Sequence, residues 1–262
     1  MSRDVWDPEQ YRAFADERNR PFFELVAQVH ASAPARVADL GCGNGELTLT
    51  LARRWPAANI EAIDSSPEMI AAARPGDVAD RVRFAVGDVA EWKPDGAMDV
   101  IVSNAVLQWV PGHRDLLVRW AGALAPGGWL AFQVPGNFGL PSHVILREVC
   151  ESARWRDRLG GVPLADPVGD PVDYLDLLSA AGCRVNAWET TYAQILEGAN
   201  PVLEWVKGTA LRPVLTVLGT GSPDAAEFLG EYGERLREAY PARPYGTVFP
   251  FRRIFAVARR EP

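Results

Sequence analysis

The segment Val37-Ala38-Asp39-Leu40-Gly41-Cys42-Gly43-Asn44-Gly45 decides how this chain is read. Val37 to Leu40 form a short apolar run that predicts a buried strand. Three glycines follow at alternate positions, and residues 46–54 have the pattern of a helix. A strand that turns into a helix through glycines brings bare backbone close to whatever binds there. The spacing is informative. A dinucleotide-binding turn needs G-x-G-x-x-G, with its third glycine five residues after the first. Counted from Gly41, that place is held by Glu46. The third glycine is Gly45, so the pattern is G-x-G-x-G, with Asp39 two residues ahead of it.

Outward from this turn, apolar runs alternate with helical patterns. Strands are predicted at 36–40, 59–63, 82–86, 99–103 and 129–134. Helices are predicted at 46–54, at 67–73 after a Ser65-Ser66 cap, and at 115–124 before Pro126-Gly127-Gly128. Strands joined by such helices make βαβ units and a parallel sheet. After residue 134 the rhythm changes. Helices are predicted at 141–154, 172–181, 201–206, 211–218 and 223–240, with strands at 184–195 and 249–259. The expected organisation is a single α/β domain over 1–262. Its cofactor-binding core spans about 30–135, and helical cap insertions span about 135–181 and 196–245. An N-terminal helical segment, 8–30, closes the site.

Bulk composition narrows the function. The formal net charge is −7, which argues against a nucleic-acid partner. It leaves room for an anionic small molecule, because a local arginine cluster can dominate a cleft. Cys42, Cys150 and Cys183 form no C-x-x-C pair and read as free thiols of a reducing compartment, with no metal site. No run approaches the roughly 20 apolar residues of a membrane span. The chain is therefore read as cytoplasmic, without a membrane partner.

Ligands on parallel sheets bind beyond the carboxyl ends of the strands. That rule lines up Asp39 to Gly45, Asp64, Asp88 and Asn104 on one rim. Asp64 stands about two dozen residues past the glycines, where an acid accepts from ribose hydroxyls; its other reading is a cap for the next helix. Ser65 suits capping as well, which favours the ribose role for Asp64. Met69 either packs on an adenine or lies in the core. Asp88, followed by Val89, either accepts from an adenine amino group or makes a surface turn. After the fourth strand, Asn104 leads into Gln108 and Trp109, which face a substrate or, for Trp109, the core.

The G-x-G-x-G spacing behind Asp39 resembles the methionine-end cradle of class I S-adenosylmethionine-dependent methyltransferases. That resemblance implies a Rossmann-like, mostly parallel seven-stranded sheet with S-adenosyl-L-methionine as cofactor. It implies cofactor contacts from Asp39, Gly41, Cys42, Gly43, Gly45, Asp64, Ser65, Met69, Asp88, Val89 and Asn104. Amino-methylating nucleic-acid enzymes of this class follow the fourth strand with Asn or Asp, two prolines and an aromatic. Ala105-Val106 lacks that geometry.

The likeness then narrows. Trp6-Asp7-Pro8 with Tyr11, the run Phe14 to Pro21, Ile63 to Ile70 and Leu107-Gln108-Trp109 resemble the trans-aconitate 2-methyltransferases. So do His143-Val144 with Arg147-Glu148-Val149, Ala181-Gly182-Cys183, Trp188 with Thr190-Thr191-Tyr192, Leu211-Arg212-Pro213, and Arg253 with Phe255 and Val257-Ala258-Arg259-Arg260. Asn44, Glu46, Leu47, Ala193-Gln194 and Val214 depart from the pattern, and Arg252-Arg253 is a double arginine where the pattern has one. The resemblance implies esterification of a small tricarboxylate. A carboxylate is already ionised near pH 7, so no general base is expected. Gln108 and His143 are read as positioning groups in the catalytic site. Tyr11, Gln108, Trp109, His143, Arg147, Arg212 and Arg253 are read as substrate ligands, because arginine forks suit carboxylates. Arg147 can instead pair with Glu148 or Glu151 at the surface, Arg212 can lie exposed at a helix start, and Arg253 can be an edge-strand arginine.

Overall fold

The computed structural model describes residues 15–73, 78, 80–162, 164 and 168–261. The strands are β1 (Arg36–Leu40), β2 (Asn59–Asp64), β3 (Val82–Val86), β4 (Met98–Asn104), β5 (Leu124–Pro135), β6 (Cys183–Leu196), β7 (Ala242–Arg243) and β8 (Gly246–Arg260). They form one sheet in the order β3-β2-β1-β4-β5-β8-β6, with the two-residue β7 paired to β8. Neighbours from β3 to β5 run parallel, and β8 runs antiparallel to β5. This is the expected seven-strand path with a short eighth strand added.

The helices are α1 (Ala15–Ala27), α2 (Glu46–Arg54), α3 (Pro67–Ala72), α4 (His113–Gly122), α5 (Pro141–Glu151), α6 (Arg156–Leu159), α7 (Pro171–Ala180), α8 (Pro201–Lys207), α9 (Arg212–Leu218) and α10 (Pro223–Ala239). Helix α4 stops two residues before the expected end, and Ala123 passes into the sheet by accepting from the Met98 N–H at 2.9 Å. The Pro126-Gly127-Gly128 turn is thus a bulge within β5, where the register with β4 shifts between Met98 and Val100. A Cβ on Gly128 would lie 2.9 Å from two carbonyl oxygens, so only glycine fits there. No helix lies between β3 and β4; residues 87–97 cross as a loop.

Chain contacts divide the described residues into two compact units. The sheet unit holds 15–135, 168–190 and 253–261. One face of its sheet carries Ala38, Leu40, Ile101, Leu130, Phe132, Val134, Ile254 and Ala256, fully or nearly fully buried in a core with Leu116, Leu117 and Trp120 of α4. Helix α7, which the sequence groups with the cap, packs on α4 in this unit and sinks Tyr174 and Leu178 into the same core. The reason is its apolar stripe. The Tyr174 hydroxyl also accepts from the Gly169 N–H at 3.1 Å and meets His113 Nε2 at 2.9 Å.

The helical unit holds 136–164 and 191–252. There α5 packs on α10, and α10 on α8. The Tyr232 hydroxyl donates to the Ser142 carbonyl at 2.7 Å, and the Tyr240 hydroxyl accepts from the Ser142 N–H at 3.1 Å, which fixes the first turn of α5. Trp205 packs its ring against Phe249 and Phe251. No helix among the described residues is long and apolar enough to cross a membrane.

Candidate active site

The three glycines after β1 all have positive φ, at +86°, +57° and +79°, which side chains rarely adopt. Their surroundings differ. A Cβ on Gly41 would stand 2.0 Å from Val106 Cγ2, and one on Gly45 would stand 2.6 Å from the Phe84 ring. Both positions are glycine because the protein itself approaches. A Cβ on Gly43 would meet nothing within 4 Å among the described residues. Gly43 therefore leaves open space beside a backbone bend, as a ligand cradle requires. Cys42 is buried, and burial raises its thiol pKa far above the usual range, so it is not a reactive thiol.

Asp39 lies at the end of β1, 3% exposed. Thr48, on the inward face of α2, donates its hydroxyl to Asp39 Oδ2 at 2.6 Å. Burial pushes the Asp39 carboxyl up to about 6; the Thr48 hydrogen bond opposes the shift and the nearby Asp64 charge adds to it. Such a buried carboxylate is poised for a cation. Asp64, ending β2, accepts from the Gly43 N–H and the Ser66 N–H, each at 2.9 Å. One acid thereby joins the glycine turn to the start of α3. The cap of α3 is Ser66, whose hydroxyl accepts from the Met69 N–H at 3.2 Å. Ser65 is exposed instead, so the capping role expected of it falls one residue later. Met69 and Val89 are buried, at 6% each. Asp88 is exposed and accepts from the Ala90 N–H at 2.8 Å through one carboxylate oxygen.

A row of polar side chains crosses one face of the sheet. Cα register pairs Asp39 with Val102 on β4, two residues before Asn104. It pairs Asn104 with Gln133 on β5, and Pro135 with Arg253 on β8. Residues two apart on a strand share a face, so Asp39, Asn104, Gln133 and Arg253 lie on the same side. Arg253 is 6% exposed, and its Nη1 donates to Gln133 Oε1 at 3.3 Å. Beyond β4 the chain turns through Ala105 at φ +57°, a strained value for a residue with a side chain. Gln133 and Gln108 hold that turn. The Ala105 N–H donates to the Gln133 carbonyl at 2.8 Å, and Gln108 Nε2 donates to the Ala105 carbonyl at 2.7 Å. Trp109 is half-buried in the short 3-10 turn that follows.

In the helical unit, His143 is half-buried near the start of α5. Ser142 Oγ meets its Nδ1 at 3.2 Å, and the Phe138 ring stands edge-on at 5.4 Å. Burial, and then the Arg147 charge, push the His143 pKa down to about 4, so the ring is neutral near pH 7. Arg147 donates to the Phe138 carbonyl at 2.9 Å, not to Glu148. Glu148 pairs with Arg235. Arg212 opens α9 and is half-buried. Tyr11 lies outside the described residues.

The sheet unit thus gathers the residues expected around the cofactor, together with Gln108, Trp109 and Arg253. His143, Arg147 and Arg212 belong to the helical unit. Thr48, Gln133 and Ala105 were not singled out from sequence. Gln133 had a signal, as a lone polar residue in the apolar run Leu130 to Val134. Thr48 had only its place one turn into the helix, and Ala105 had none.

A family profile described as a methyltransferase domain matches residues 37–128. A trans-aconitate 2-methyltransferase of Streptomyces avermitilis is 56% identical, over 98% of this chain and 97% of its own. One from Rhodococcus jostii is 55% identical, over 97% of this chain and 99% of its own. Among solved structures, the YcgJ protein of Bacillus subtilis superposes with a TM-score of 0.57 at 14% identity, over 93% of this chain and 99% of that one. A geranyl diphosphate methyltransferase, solved in complex with GPP and sinefungin, superposes at 0.54 with 16% identity, over 97% of this chain and 84% of that one.

Proposed function

We propose a reaction on the premise that these likenesses establish: the chain belongs to the trans-aconitate 2-methyltransferase family. It transfers a methyl group from S-adenosyl-L-methionine to one carboxylate of trans-aconitate, giving a monomethyl ester and S-adenosylhomocysteine. The residues fit the cofactor. The open space at Gly43, the buried Asp39 carboxylate and the unpartnered Oδ1 of Asn104 suit its methionine end, whose ammonium needs an acid and an acceptor. Asp64 keeps lone pairs on both oxygens for ribose hydroxyls. Met69, Ser65, Asp88 and Val89 complete the proposed cofactor contacts. When bound, the cofactor supplies a methyl on a positively charged sulfur.

The protein's own work is orientation. The acceptor carboxylate needs no proton removed near pH 7. Alignment and exclusion of water can supply roughly 7–11 kcal/mol of barrier reduction. The observation that carries the carboxylate reading is Arg253, a buried guanidinium hydrogen-bonded to a neutral amide. A guanidinium fork on the sheet face that carries Asp39 and Asn104 suits the two oxygens of a carboxylate. Gln108 and Trp109 are proposed to border the acceptor. Tyr11, His143, Arg147 and Arg212 enter as substrate ligands on the family resemblance. His143 serves as a neutral hydrogen-bonding group.

The test is an end-point assay with methyl-labelled cofactor against trans-aconitate, cis-aconitate, citrate and isocitrate. Base-labile label on trans-aconitate, with little on the others, supports the reading. No label on any acid, with cofactor binding retained by calorimetry, points to a different small acceptor.

A further inference from the structure

At the edge of the sheet away from the glycine turn, the sheet unit holds a cavity of about 580 Å³ that the methyl-transfer reading does not use. It opens where Ala97 leads into β4, Leu124 begins β5 and Arg260 ends β8. Leu124 pairs with Met98, the first residue of β4, whereas Asn104 is the last. Six residues of extended strand put the cavity about 20 Å from the rim that carries Asn104. Its volume falls within the range of small-molecule sites, roughly 300–1,000 Å³.

Every polar side chain in the wall of this cavity is a donor: Lys93, Arg119, Arg260 and the indoles of Trp92 and Trp120. No Asp or Glu lines it among the described residues, although the chain carries 34 acidic residues against 27 basic ones. Asp95, in the same loop as Lys93, pairs with Arg36 instead. Both guanidinium groups are held by neutral carbonyls. Arg119 Nη2 donates to the Ala90 carbonyl at 2.9 Å, and Arg260 Nη1 donates to the Gly122 carbonyl at 2.8 Å. Gly122 itself lines the cavity, so the Arg260 group is anchored on its wall. Arg260 thereby also caps the last turn of α4, a role that needs neither Arg119 nor Lys93. Among the described residues none of the three cations has an ion pair, and both indole N–H groups lack an acceptor. Between the cations the wall is apolar, with Leu124 buried and the Trp92 ring half-exposed. Three clustered cations in an otherwise acidic protein make a local positive field that draws anions.

We propose that this cavity is a second ligand site, separate from the methyl-transfer cleft, for a small organic anion. Its carboxylate or phosphate lies among Lys93, Arg119 and Arg260, and its apolar body lies on Trp92 and Leu124. Arginine forks suit either acidic group.

The test uses 8-anilinonaphthalene-1-sulfonate as the anionic probe, read by fluorescence, with S-adenosylhomocysteine saturating the cofactor cleft. N-phenyl-1-naphthylamine, which has the same rings without the sulfonate, is the neutral control. Lys93→Glu and Arg119→Gln should each weaken binding of the sulfonate about threefold or more, and together about tenfold or more, as exposed charges warrant. Both variants should melt near the wild type. Lys93 is exposed and makes no hydrogen bond or ion pair among the described residues, so Lys93→Glu carries the test even if Arg119→Gln unfolds. Sulfonate binding should weaken with added salt, and the neutral dye should not respond to either variant. Displacement by phenylacetate or by phenyl phosphate supports the site, and the stronger competitor identifies the acidic group it takes. Unchanged sulfonate affinity in the double variant overturns the proposal. So does an equal loss for the neutral dye, or displacement by neither competitor.

Discussion

The Thr48 hydroxyl donates to the Asp39 carboxylate at 2.6 Å and is the group that holds that buried acid's pKa down against desolvation. The folded-state value of about 6 lies above the unfolded 3.8. Its contribution to stability is therefore fully present below 3.8 and is lost as pH rises through about 6. By the usual conversion the loss is about 3 kcal/mol. Cofactor binding has the opposite sign, because an ammonium pairs with the ionised acid. Affinity for S-adenosylmethionine should be flat above pH 6 and weaken up to about tenfold per pH unit below it. Calorimetry from pH 5 to 8 checks this. Thr48→Val should move the inflection upward, and Asp39→Asn should remove it and weaken binding at every pH.

Gly41→Ala and Gly43→Ala separate fold from binding. The added methyl at Gly41 collides with Val106 in addition to straining φ, so melting should fall by about 1–3 kcal/mol and binding should be lost. At Gly43 only φ is strained, at about 1 kcal/mol, while the methyl occupies the open space. That variant should melt near the wild type and still fail to bind cofactor. Parallel melting and binding curves for the two variants decide it.

His143 is neutral through the physiological range. Its folded pKa of about 4 lies below the unfolded 6.5, so its contribution is present above 6.5 and is lost as pH falls through 4. His143→Gln should flatten the acid side of the stability curve between those values. In the activity profile, KM for the acid should show no step near 6.5.

Tyr174→Phe removes a hydroxyl shared by the Gly169 N–H and His113 Nε2. Melting should drop by about 1–3 kcal/mol, while KM for either substrate stays put. A large change in KM would place α7 nearer the chemistry than its packing on α4 indicates.

Most of the sheet could be read from sequence because period and punctuation agree there. Alternating apolar runs ended by glycine or acid located β1 to β4 within a residue or two, and Asp39, Asp64 and Asn104 fell on the rim by topology alone. Helix α7 was grouped with the cap because its pattern says that it buries a face without saying against what. Ser65 and Ser66 are equivalent in sequence; only the backbone bend set by Asp64 decides that Ser66 caps. The Ala105 turn left no trace, since its left-handed φ is imposed by Gln133 and Gln108 and not by a glycine. The Arg253–Gln133 pair depends on strands 120 residues apart in sequence, a separation no local pattern reports.

The most direct test of the account is Arg253→Lys, measured for trans-aconitate turnover and for S-adenosylmethionine binding in the same preparation. Lysine keeps the charge but not the planar fork. The account predicts that kcat/KM falls about a hundredfold or more, at unchanged cofactor Kd and near-native melting. Wild-type kcat/KM in that variant would contradict the carboxylate clamp.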